Sequence, residues 1–408
     1  MAEISLFRDK NIILGITGSI AAYKAADLAS KLTQAGAQVD VILTKAALEF
    51  ITALTFQSVT GRRAFVDEDL WGKEGHIQHI GLARDADLMV IAPATANTIA
   101  KLALGLADNL LTVTALAARC PIMVAPAMDG GMYTHSSTQR NINSLQQQST
   151  TIVGPAEGHL ASGLSGIGRM VEPIELFGHI RLKLADGGSL SGRKVIVTAG
   201  GTQESIDPVR VITNLSSGKQ GYALAQAALD RGADVFLISA LTCLTPPVGV
   251  HLIPVTNAQD MLNAVMEHAS NTDLLLMAAA VADFRPARSS RDKIKKSAYP
   301  PQVAMEKTGD ILNAISDLKV KQQYPKIVVG FAAESQDLIT NARRKLREKN
   351  LDLIVANDIK AEDAGFAVDT NRVTILDAGG GEEVLPLMSK SEVAEHILQR
   401  VATLVLDD

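Results

Sequence analysis

Two glycine-bearing turns are the first candidates for ligand binding. Gly15 and Gly18 follow the first strand-like segment, and Gly200-Gly201-Thr202 follows a similar segment in the second half. The N–H groups and the dipole at the start of the next helix suit each turn to a phosphate group. Neither turn has the complete G-x-G-x-x-G spacing, and Ser216-Ser217-Gly218-Lys219 lacks the spacing of a P-loop. Each turn therefore indicates either a ligand site or a plain strand-to-helix connection.

A basic segment in the second half could hold a triphosphate. It places six cations between residues 285 and 296 of a chain whose formal net charge is −5, so the positive charge is local. The other interpretation is a solvated, mobile basic loop. Nucleic acid is a less favoured partner, because no series of aromatic side chains accompanies the cations. The cations are Arg285, Arg288, Arg291, Lys293, Lys295 and Lys296.

Two histidines of the first half, His76 and His79, could supply acid–base chemistry. Imidazole has a pKa of about 6.5, so both of its protonation states are accessible near neutral pH. A single histidine more often has a structural role, and the residue type alone does not choose between the two.

The elements that must position these residues alternate between strand-like apolar runs and helix-length segments, as in parallel sheets covered by helices. A strand over 11–16, a helix to about residue 34 and a strand over 38–43 form a βαβ unit. The second half repeats the pattern with a strand over 194–198, a helix over about 217–230 and a strand over 234–239. The sequence therefore predicts an α/β fold with two doubly wound domains and mainly parallel sheets. Further strands are predicted over 88–92, 122–125, 151–153, 274–278, 327–330, 353–356 and 373–376, with a final helix from about residue 389.

The length of 408 residues is sufficient for two or three domains. Residues 184–192, with the sequence LADGGSLSG, are short, polar and glycine-rich, which is typical of a linker. We therefore predict one domain over 1–183, a linker over 184–192 and a second domain over 193–408.

The composition is that of an ordinary globular protein, with 47% hydrophobic and 20% charged residues. The N-terminus has no apolar segment behind a basic start, and the longest apolar stretch, 111–128, is broken by Arg119 and Pro121. We therefore expect a cytoplasmic protein without a membrane partner. Cys120 and Cys243 form no paired metal or redox spacing, so we expect two buried free thiols.

Longer motifs carry a resemblance that runs from about residue 10 to about residue 400. The first half resembles the flavin-dependent cysteine decarboxylases, and the second half resembles the phosphopantothenate–cysteine ligases. Together, in this order, the two blocks are similar to the bifunctional proteins of bacterial coenzyme A biosynthesis. The motifs are ITGSIAAYK (16–24), HIGLARDADL (79–88), IAPATANT (91–98), GLADNLL (105–111) and VAPAMDGGMY (124–133), then TAGGTQESIDPVR (198–210), TNLSSGKQG (213–221), AAAVADFRP (278–286), KIKK (293–296) and VGFAAES (329–335).

The resemblance implies an enzyme that catalyses two successive reactions. The second half would join cysteine to 4'-phosphopantothenate through an acyl-cytidylate formed from CTP, with Mg2+ neutralising the triphosphate. The first half would decarboxylate the product, 4'-phosphopantothenoylcysteine, to 4'-phosphopantetheine with FMN as a recycled electron sink. The family completes sites through oligomeric contacts, so the resemblance also implies a homo-oligomer in which residues 278–296 contribute across a subunit interface.

Site residues of the first half are assigned by their match to the family. The spacing to Ala86-Asp87-Leu88 assigns the acid–base histidine to His79 and makes His76 a neighbour. Backbone amides and short hydroxyl side chains would hold the FMN phosphate, although a polar helix cap is the alternative for residues 93–97. The implied FMN contacts are Gly18, Ser19, Ile20, Thr44, Ala94, Thr95, Asn97 and Asp108.

Two implied catalytic residues depart from the family pattern. Asp129 stands where the Pro-Ala-Met-Asn motif has an amide, and an ionised carboxylate only accepts hydrogen bonds. It would repel the substrate carboxylate unless it is protonated, paired with a cation or part of a modified substrate clamp. Ser162 stands at the cysteine position of the substrate-lid segment, and a hydroxyl is a much poorer acid than a thiol. If that cysteine normally protonates the intermediate, this chain needs another proton donor.

In the second half, Lys293 of the K-x-K-K motif matches the family residue that stabilises transfer at the nucleotide phosphate. Asn214 matches the family asparagine that is associated with the acyl-cytidylate. Its amide can both donate and accept hydrogen bonds. The alternative is that Asn214 only caps a turn. No metal ligand is assigned. The residues implied around CTP are Asp283, Phe284, Lys293, Lys307, Asp310 and Phe331.

Two other functions remain open at this stage. One is a working ligase fused to a flavin-binding domain that has a regulatory or interaction role and no decarboxylase activity. The other is a nicotinamide-dependent dehydrogenase built from two nucleotide-binding domains, against which the incomplete dinucleotide fingerprints count.

Overall fold

The computed structural model of the chain describes residues 6–71, 78–161, 163–296, 302–334, 337–358 and 368–406. The chain folds as two compact units, residues 1–184 and 185–408. Each unit is built around a large sheet whose strands are mainly parallel. The predicted α/β fold with two doubly wound sheets is therefore confirmed.

The sheet of the first unit has the strand order β3-β2-β1-β4-β5-β6, and its neighbouring strands pair in parallel. The chain begins at the centre of the sheet, builds one edge, then returns to the centre and builds the other edge. The strands are β1 (Asn11–Ile16), β2 (Gln38–Leu43), β3 (Ala64–Val66), β4 (Leu88–Ala94), β5 (Ile122–Pro126) and β6 (Thr151–Ile152).

Successive residues of β1 belong to two different hydrophobic clusters. Ile12 and Leu14 pack in one cluster and Ile13 packs in the other, and all three are almost completely buried. Because side chains alternate across a strand, the sheet must be covered by helices on both faces. The helices are α1 (Ala22–Gln34), α2 (Ala53–Thr60), α3 (Gln78–Asp85), α4 (Ala96–Leu104), α5 (Leu110–Ala117), α6 (Gly130–Thr134), α7 (Ser136–Gln147) and α8 (Pro173–Leu184).

A separate antiparallel hairpin, β7 (Ala156–His159) and β8 (Ser165–Arg169), lies between β6 and α8 in the chain. The strand–helix alternation does not predict this hairpin. Its position relative to β5 matters for the site described below.

The sheet of the second unit has the order β13-β12-β9-β14-β17-β18-β20-β21. It is parallel from β13 to β18, and β20 and β21 add an antiparallel edge. The strands are β9 (Lys194–Ala199), β10 (Gln203–Ser205), β11 (Val211–Thr213), β12 (Asp234–Ser239), β13 (His251–Pro254), β14 (Leu274–Met277), β15 (Phe284–Pro286), β16 (Met305–Lys307), β17 (Ile327–Glu334), β18 (Leu353–Asp358), β19 (Thr370–Asn371), β20 (Val373–Asp377), β21 (Glu382–Val384) and β22 (Met388–Ser389).

Three short antiparallel pairs, β10 with β11, β15 with β16 and β19 with β22, stand outside this sheet. The helices of the second unit are α9 (Lys219–Leu229), α10 (Ala258–Ala269), α11 (Ile311–Gln322), α12 (Leu338–Glu348) and α13 (Lys390–Leu406).

The glycine-rich segment after α8 is packed as a series of turns. Leu190 is 1% exposed, and its backbone N–H donates to the Arg231 carbonyl at 2.8 Å. A Cβ on Gly188 would lie 2.5 Å from the same carbonyl oxygen, so the close approach of the two backbones requires glycine there. Leu190 and Gly188 therefore pack on the second unit, whereas residues 186, 187, 189, 191 and 192 of the same segment are exposed.

The prediction of two buried thiols is wrong in part. Cys120 is half-buried, and burial raises the pKa of its thiol above the ordinary value, but Cys243 is exposed. Within the described ranges, no helix combines the length and the apolar character that crossing a bilayer requires.

Candidate active sites

In each large sheet, the strands that follow the first strand are added on one side of it, and the later strands are added on its other side. In the first unit β1 lies between β2 and β4, and in the second unit β9 lies between β12 and β14. A crevice forms beyond the carboxyl ends of the strands at such a point, and α/β proteins bind ligands there. Several of the predicted site residues lie directly after these strands.

In the first unit, the chain turns sharply after β1 at Gly18. A Cβ at this position would lie 2.6 Å from the Cβ of Ala46, so a larger residue does not fit without movement of the loop after β2. Ser19 donates its backbone N–H to the Thr17 carbonyl at 2.8 Å, and Ile20 is 59% exposed. Helix α1 then begins with no side-chain cap at Ala21, which leaves its positive end suited to an anion.

Thr17 connects this turn to the loop after β4. Its hydroxyl donates to the Pro93 carbonyl at 2.6 Å and accepts from the Thr95 backbone N–H at 3.0 Å, and the side chain is almost completely buried. Thr95 in turn caps helix α4 by accepting from the Thr98 backbone N–H. Sequence reasoning missed Thr17, although the residue lies within a motif that carried the resemblance.

Asp67 joins two further predicted segments. One carboxylate oxygen accepts from the Lys45 backbone N–H at 3.0 Å, and the other accepts from Leu110 at 3.2 Å. Asp67 thereby connects the loop that follows β2 to the start of α5. The buried Thr44 lies in that loop, and Asp108 lies just before α5. The structure therefore brings the turn at Gly18, Thr44, Thr95 and the Asp108 segment to the same edge of the sheet.

Asp108 is exposed and bound to a lysine of its own unit. Both carboxylate oxygens accept from Lys101 Nζ at 2.8 Å, and this hydrogen bond holds the pKa of Asp108 below its ordinary value. Ala94 is completely buried at the end of β4, whereas the side chain of Asn97 is exposed on the first turn of α4. Of the last two, only Asn97 is therefore able to offer its side chain to a ligand.

His79 occupies the first turn of α3, which packs against α5. Its Nδ1 atom is buried and has no hydrogen-bond partner among the described residues. A buried polar atom without a partner is costly, so this nitrogen is suited to a ligand or a water molecule that completes the site. His76 lies outside the described residues.

Asp129 is the N-cap of the short helix α6, where its carboxylate accepts from the Gly131 backbone N–H at 3.0 Å. Asparagine and aspartate are almost equally good N-caps, which explains why the turn tolerates a carboxylate where the family has an amide. The hairpin β7–β8 packs on this turn, because Met128 donates its N–H to the Gly168 carbonyl at 3.0 Å. Ser162, between the two hairpin strands, lies outside the described residues.

A buried lysine fastens the end of this hairpin to helix α1. Lys24 is 4% exposed, and its Nζ donates to the Met170 carbonyl and to Glu172 Oε1, both at 2.9 Å. The hydrogen bond from Lys24 is the main reason why the pKa of Glu172 lies below its ordinary value of 4.5. The pair therefore stabilises the folded protein above pH 4.5, and this contribution is lost as the pH falls through the folded pKa.

We expect the Glu172→Gln variant to lower the free energy of unfolding at pH 7 by about 1 kcal/mol, since the carboxylate is half-exposed. Its stability should also lose part of its dependence on pH below 4.5, measured by denaturant titration. The double variant Lys24→Met/Glu172→Gln should recover stability, because methionine needs no buried partner. A double variant that is less stable than Glu172→Gln would contradict this account of the pair.

In the second unit, a cleft of about 950 Å³ opens at the carboxyl ends of β9 and β14. Six predicted residues line it, so the structure brings together nearly the whole set implied for CTP and the acyl intermediate. They are Asn214, Asp283, Phe284, Lys307, Asp310 and Phe331.

The described lining of this cleft is strongly basic, with five lysines against two aspartates. Lys390 is the most buried of them at 6% exposed; burial and the charge of Lys219 both lower its pKa from the ordinary value. Such a lining attracts a polyanion. Sequence reasoning missed four of the lysines, because they are far apart in the chain and lie on or next to three different helices. They are Lys219, Lys345, Lys349 and Lys390.

Asn214 is held by the loop that follows β14. Its Nδ2 donates to the Val281 carbonyl at 3.1 Å and to the Ala280 carbonyl at 3.3 Å. Its own backbone carbonyl lies so close to Gly201 that a Cβ there would be 2.5 Å away. The two glycine-bearing segments after β9 and before α9 are thus packed against each other at the mouth of the cleft. Among the described residues, no donor bonds the Asn214 side-chain oxygen.

Asp310 caps helix α11 by accepting from the Asn313 backbone N–H at 3.0 Å. Lys349 Nζ donates to its second oxygen at 2.5 Å. Burial raises the pKa of Asp310, but the hydrogen bonds from Lys349 and Asn313 outweigh burial, so the pKa lies below the ordinary value. The carboxylate is therefore ionised at neutral pH and fixes Lys349, the residue directly after α12, at the cleft.

Lys293 is exposed and does not line the cleft of its own unit. The basic segment around it is tied down: Ser290 donates its N–H to the Ile206 carbonyl at 2.9 Å, and Ile294 donates to Asp207 at 3.1 Å. Arg285 pairs with Glu306 at 2.8 Å. The described part of the segment is therefore anchored at several points.

A metal ion has no ready set of ligands in the described ranges, where no group of three His, Cys, Asp or Glu residues converges.

Comparison with known proteins adds a second line of evidence. A family model described as "Flavoprotein" matches residues 4–184, and one described as "DNA/pantothenate metabolism flavoprotein C-terminal domain" matches residues 190–405. The chain is 46% identical over 402 residues to the coenzyme A biosynthesis bifunctional protein CoaBC of Bacillus subtilis, covering 98% of each chain. It is 43% identical over 406 residues to the CoaBC protein of Mycobacterium tuberculosis, covering 97% of this chain and 96% of that one.

Among solved structures, the C-terminal domain of a coenzyme A biosynthesis bifunctional protein CoaBC is 41% identical and has a TM-score of 0.47; the match covers 54% of this chain and 100% of that one. The matches to the two CoaBC proteins cover almost the full length of each chain. The chain therefore belongs to the family of bifunctional enzymes of coenzyme A biosynthesis.

Proposed function

We propose that the second unit joins cysteine to 4'-phosphopantothenate through an acyl-cytidylate formed from CTP, and that the first unit decarboxylates the product to 4'-phosphopantetheine with FMN. The observation that carries the proposal is that six residues implied for CTP and the acyl intermediate line one basic cleft. Family membership over almost the full length supports both reactions on one chain.

The ligase step needs activation because a carboxylate has a poor leaving oxygen. Attack of the phosphopantothenate carboxylate on the α-phosphorus of CTP would form the acyl-cytidylate and release pyrophosphate. The cysteine amine would then displace CMP and form the amide. Lysines of the cleft would stabilise the triphosphate, and Mg2+ would arrive with the nucleotide and neutralise its charge. Asn214 would hold the acyl-cytidylate through its free amide oxygen.

The first unit fits FMN on two observations of its own. The turn at Gly18 has no space for a side chain, as expected where a backbone approaches a phosphate, and the buried Nδ1 of His79 needs a partner. Bound FMN would supply a reversible two-electron sink, because the substrate has no carbonyl or imine placed to accept the electrons that CO2 leaves behind. The residues that would hold it are Gly18, Ser19, Ile20, Thr44, Ala94, Thr95, Asn97 and Asp108.

The chain's own groups would move protons and orient the substrate. His79 would transfer a proton at the substrate thiol or at the carbon that loses CO2. Asp129, already engaged as a helix cap, would orient the substrate. A serine at position 162 would be a weak proton donor, so the final protonation would depend more on His79 or water than in family members with cysteine.

We also propose that the protein acts as a homo-oligomer, with residues 278–296 contributing to the cleft of a neighbouring copy. The support is that Lys293 stands outside the cleft of its own unit, whereas Asp283 and Phe284 of the same stretch line it. A second copy would bring the missing cation to the triphosphate.

Asp129 and Ser162 favour one alternative, a working ligase fused to a flavin-binding unit that does not decarboxylate. The experiment that separates the two supplies purified protein with phosphopantothenate, cysteine, CTP and Mg2+, and follows pyrophosphate, CO2 and the flavin absorption together. We expect both products. Pyrophosphate without CO2 would establish the alternative, and the absence of both would contradict the proposal as a whole.

A single methyl group at the turn after β1 should weaken FMN binding. In Gly18→Ala the new Cβ would meet the Cβ of Ala46 at 2.6 Å, so the turn must move away from the phosphate. We expect at least a tenfold loss of retained FMN, measured by flavin absorption after gel filtration. Gly81→Ala is the matched control, because a Cβ on Gly81 meets nothing within 4 Å. Equal FMN retention in the two variants would show that the turn does not hold the cofactor.

A further inference from the structure

Asp207 is a buried carboxylate that gathers four hydrogen-bond donors. Its Oδ1 accepts from the backbone N–H groups of Val209 and Arg210 at 2.8 and 2.9 Å. Its Oδ2 accepts from Arg210 Nη1 at 2.8 Å and from the backbone N–H of Ile294 at 3.1 Å. The whole residue is 1% exposed. A carboxylate is buried at acceptable cost only when its oxygens are satisfied in this way.

The fourth donor is distant in sequence and adjacent to Lys293. Ile294 stands 87 residues after Asp207 and belongs to the basic segment. The same segment is also held by the hydrogen bond from the Ser290 backbone N–H to the Ile206 carbonyl. Arg210 Nη1 also donates to the Ile294 carbonyl at 3.2 Å. Both backbone polar groups of Ile294 are therefore held by the Asp207–Arg210 pair, which fixes the point from which the Lys293 side chain extends.

We infer that Asp207 is a positioning residue for the ligase reaction: it sets the place of Lys293 at the nucleotide phosphate through the backbone of Ile294. The inference rests on the proposed function of Lys293 and names a residue that the resemblance leaves without a role. Asp207 itself is buried and does not line the cleft. Because a displacement of about 1 Å in a reacting group can lower a rate by about 10²-fold, a loosened segment should be visible in the kinetics.

The Asp207→Asn variant tests this directly. The asparagine side chain has one accepting oxygen and one NH2 group. In either orientation its NH2 group would face two of the four donors, so the hydrogen bonds on that side would be broken. We expect formation of the acyl-cytidylate, followed as pyrophosphate release without cysteine, to slow about 10- to 100-fold. Release of CMP on adding cysteine to the preformed intermediate should stay within about twofold, because Lys293 acts before that step. A loss of fold would lower both steps together.

Asp273→Asn is the matched control. Asp273 also accepts from a backbone N–H, that of Lys194 at 2.9 Å, and from two cations, but it precedes β14 at the opposite end of the sheet. We expect it to lower the stability of the protein without changing the ratio of the two step rates. Ile294→Pro is the second variant; it removes the N–H donor to Asp207, along with the isoleucine side chain, and should slow pyrophosphate release as Asp207→Asn does.

The inference is overturned if the variants at 207 and 294 form the acyl-cytidylate at the rate of the unaltered protein, or if both steps slow equally in a protein that unfolds at the unaltered temperature. Failure of the proposed function looks different: the unaltered protein itself would release no pyrophosphate from CTP and phosphopantothenate.

Discussion

Replacing His79 by asparagine should lower the rate of CO2 release by about 10²- to 10⁴-fold, the usual contribution of a positioned acid–base group. Asparagine is close to imidazole in size and retains a donor and an acceptor, but it cannot exchange a proton near neutral pH. Since the predicted FMN contacts lie on other loops, the variant should keep its flavin. Pyrophosphate release by the second unit should be unchanged.

The measurement is CO2 release from supplied 4'-phosphopantothenoylcysteine, so that the ligase is not needed. His179→Asn is the matched control: His179 is a half-buried histidine of the same unit on α8, and burial lowers the pKa of its imidazole. We expect its CO2 release to remain near that of the unaltered protein. CO2 release at the full rate in His79→Asn would remove this histidine from the chemistry and leave it a structural role.

Replacing Lys293 by glutamine should lower pyrophosphate release by at least about 10²-fold, because the developing charge on the phosphates loses a cation that acts mainly in the transition state. Glutamine preserves most of the side-chain length and can still donate a hydrogen bond. Decarboxylation of supplied 4'-phosphopantothenoylcysteine should be unaffected.

Lys295→Gln provides the control for this second variant, because Lys295 is an exposed lysine of the same segment with the same local charge. We expect a small change in pyrophosphate release that disappears at high salt, as for a surface charge. Equal losses in the two lysine variants would show that the segment acts only through its total charge and that position 293 has no special role.

Much of the fold follows from local patterns. The strands over Asn11–Ile16, Gln38–Leu43 and Asp234–Ser239 have the predicted bounds, because apolar runs buried on both faces end sharply at turn residues. Strand β17 runs four residues beyond its predicted end to Glu334, since it pairs along its length with β18. Neither the β7–β8 hairpin nor β3 has an apolar run that stands out, so the pattern did not indicate them.

The candidate sites were predictable where a residue type is fixed by a motif, and not where a contact depends on tertiary structure. The resemblance implied Asn214 and Asp310 as site residues, and the structure places both on the cleft. Lys345 and Lys349 lie on or directly after α12, where a basic helix is expected to face solvent, and only the packing of that helix brings them to the cleft. The bond from Ile294 to Asp207 links residues that no local pattern connects.

Cysteine labelled in its carboxyl group follows both reactions of the chain in one measurement. The unaltered protein with FMN would be given labelled cysteine, 4'-phosphopantothenate, CTP and Mg2+, and labelled CO2 would be counted against pyrophosphate. We expect one labelled CO2 for each pyrophosphate at the end of the reaction, and no label released when CTP is omitted. Label released without CTP, or pyrophosphate accumulating while the label stays in the amide product, would contradict this expectation.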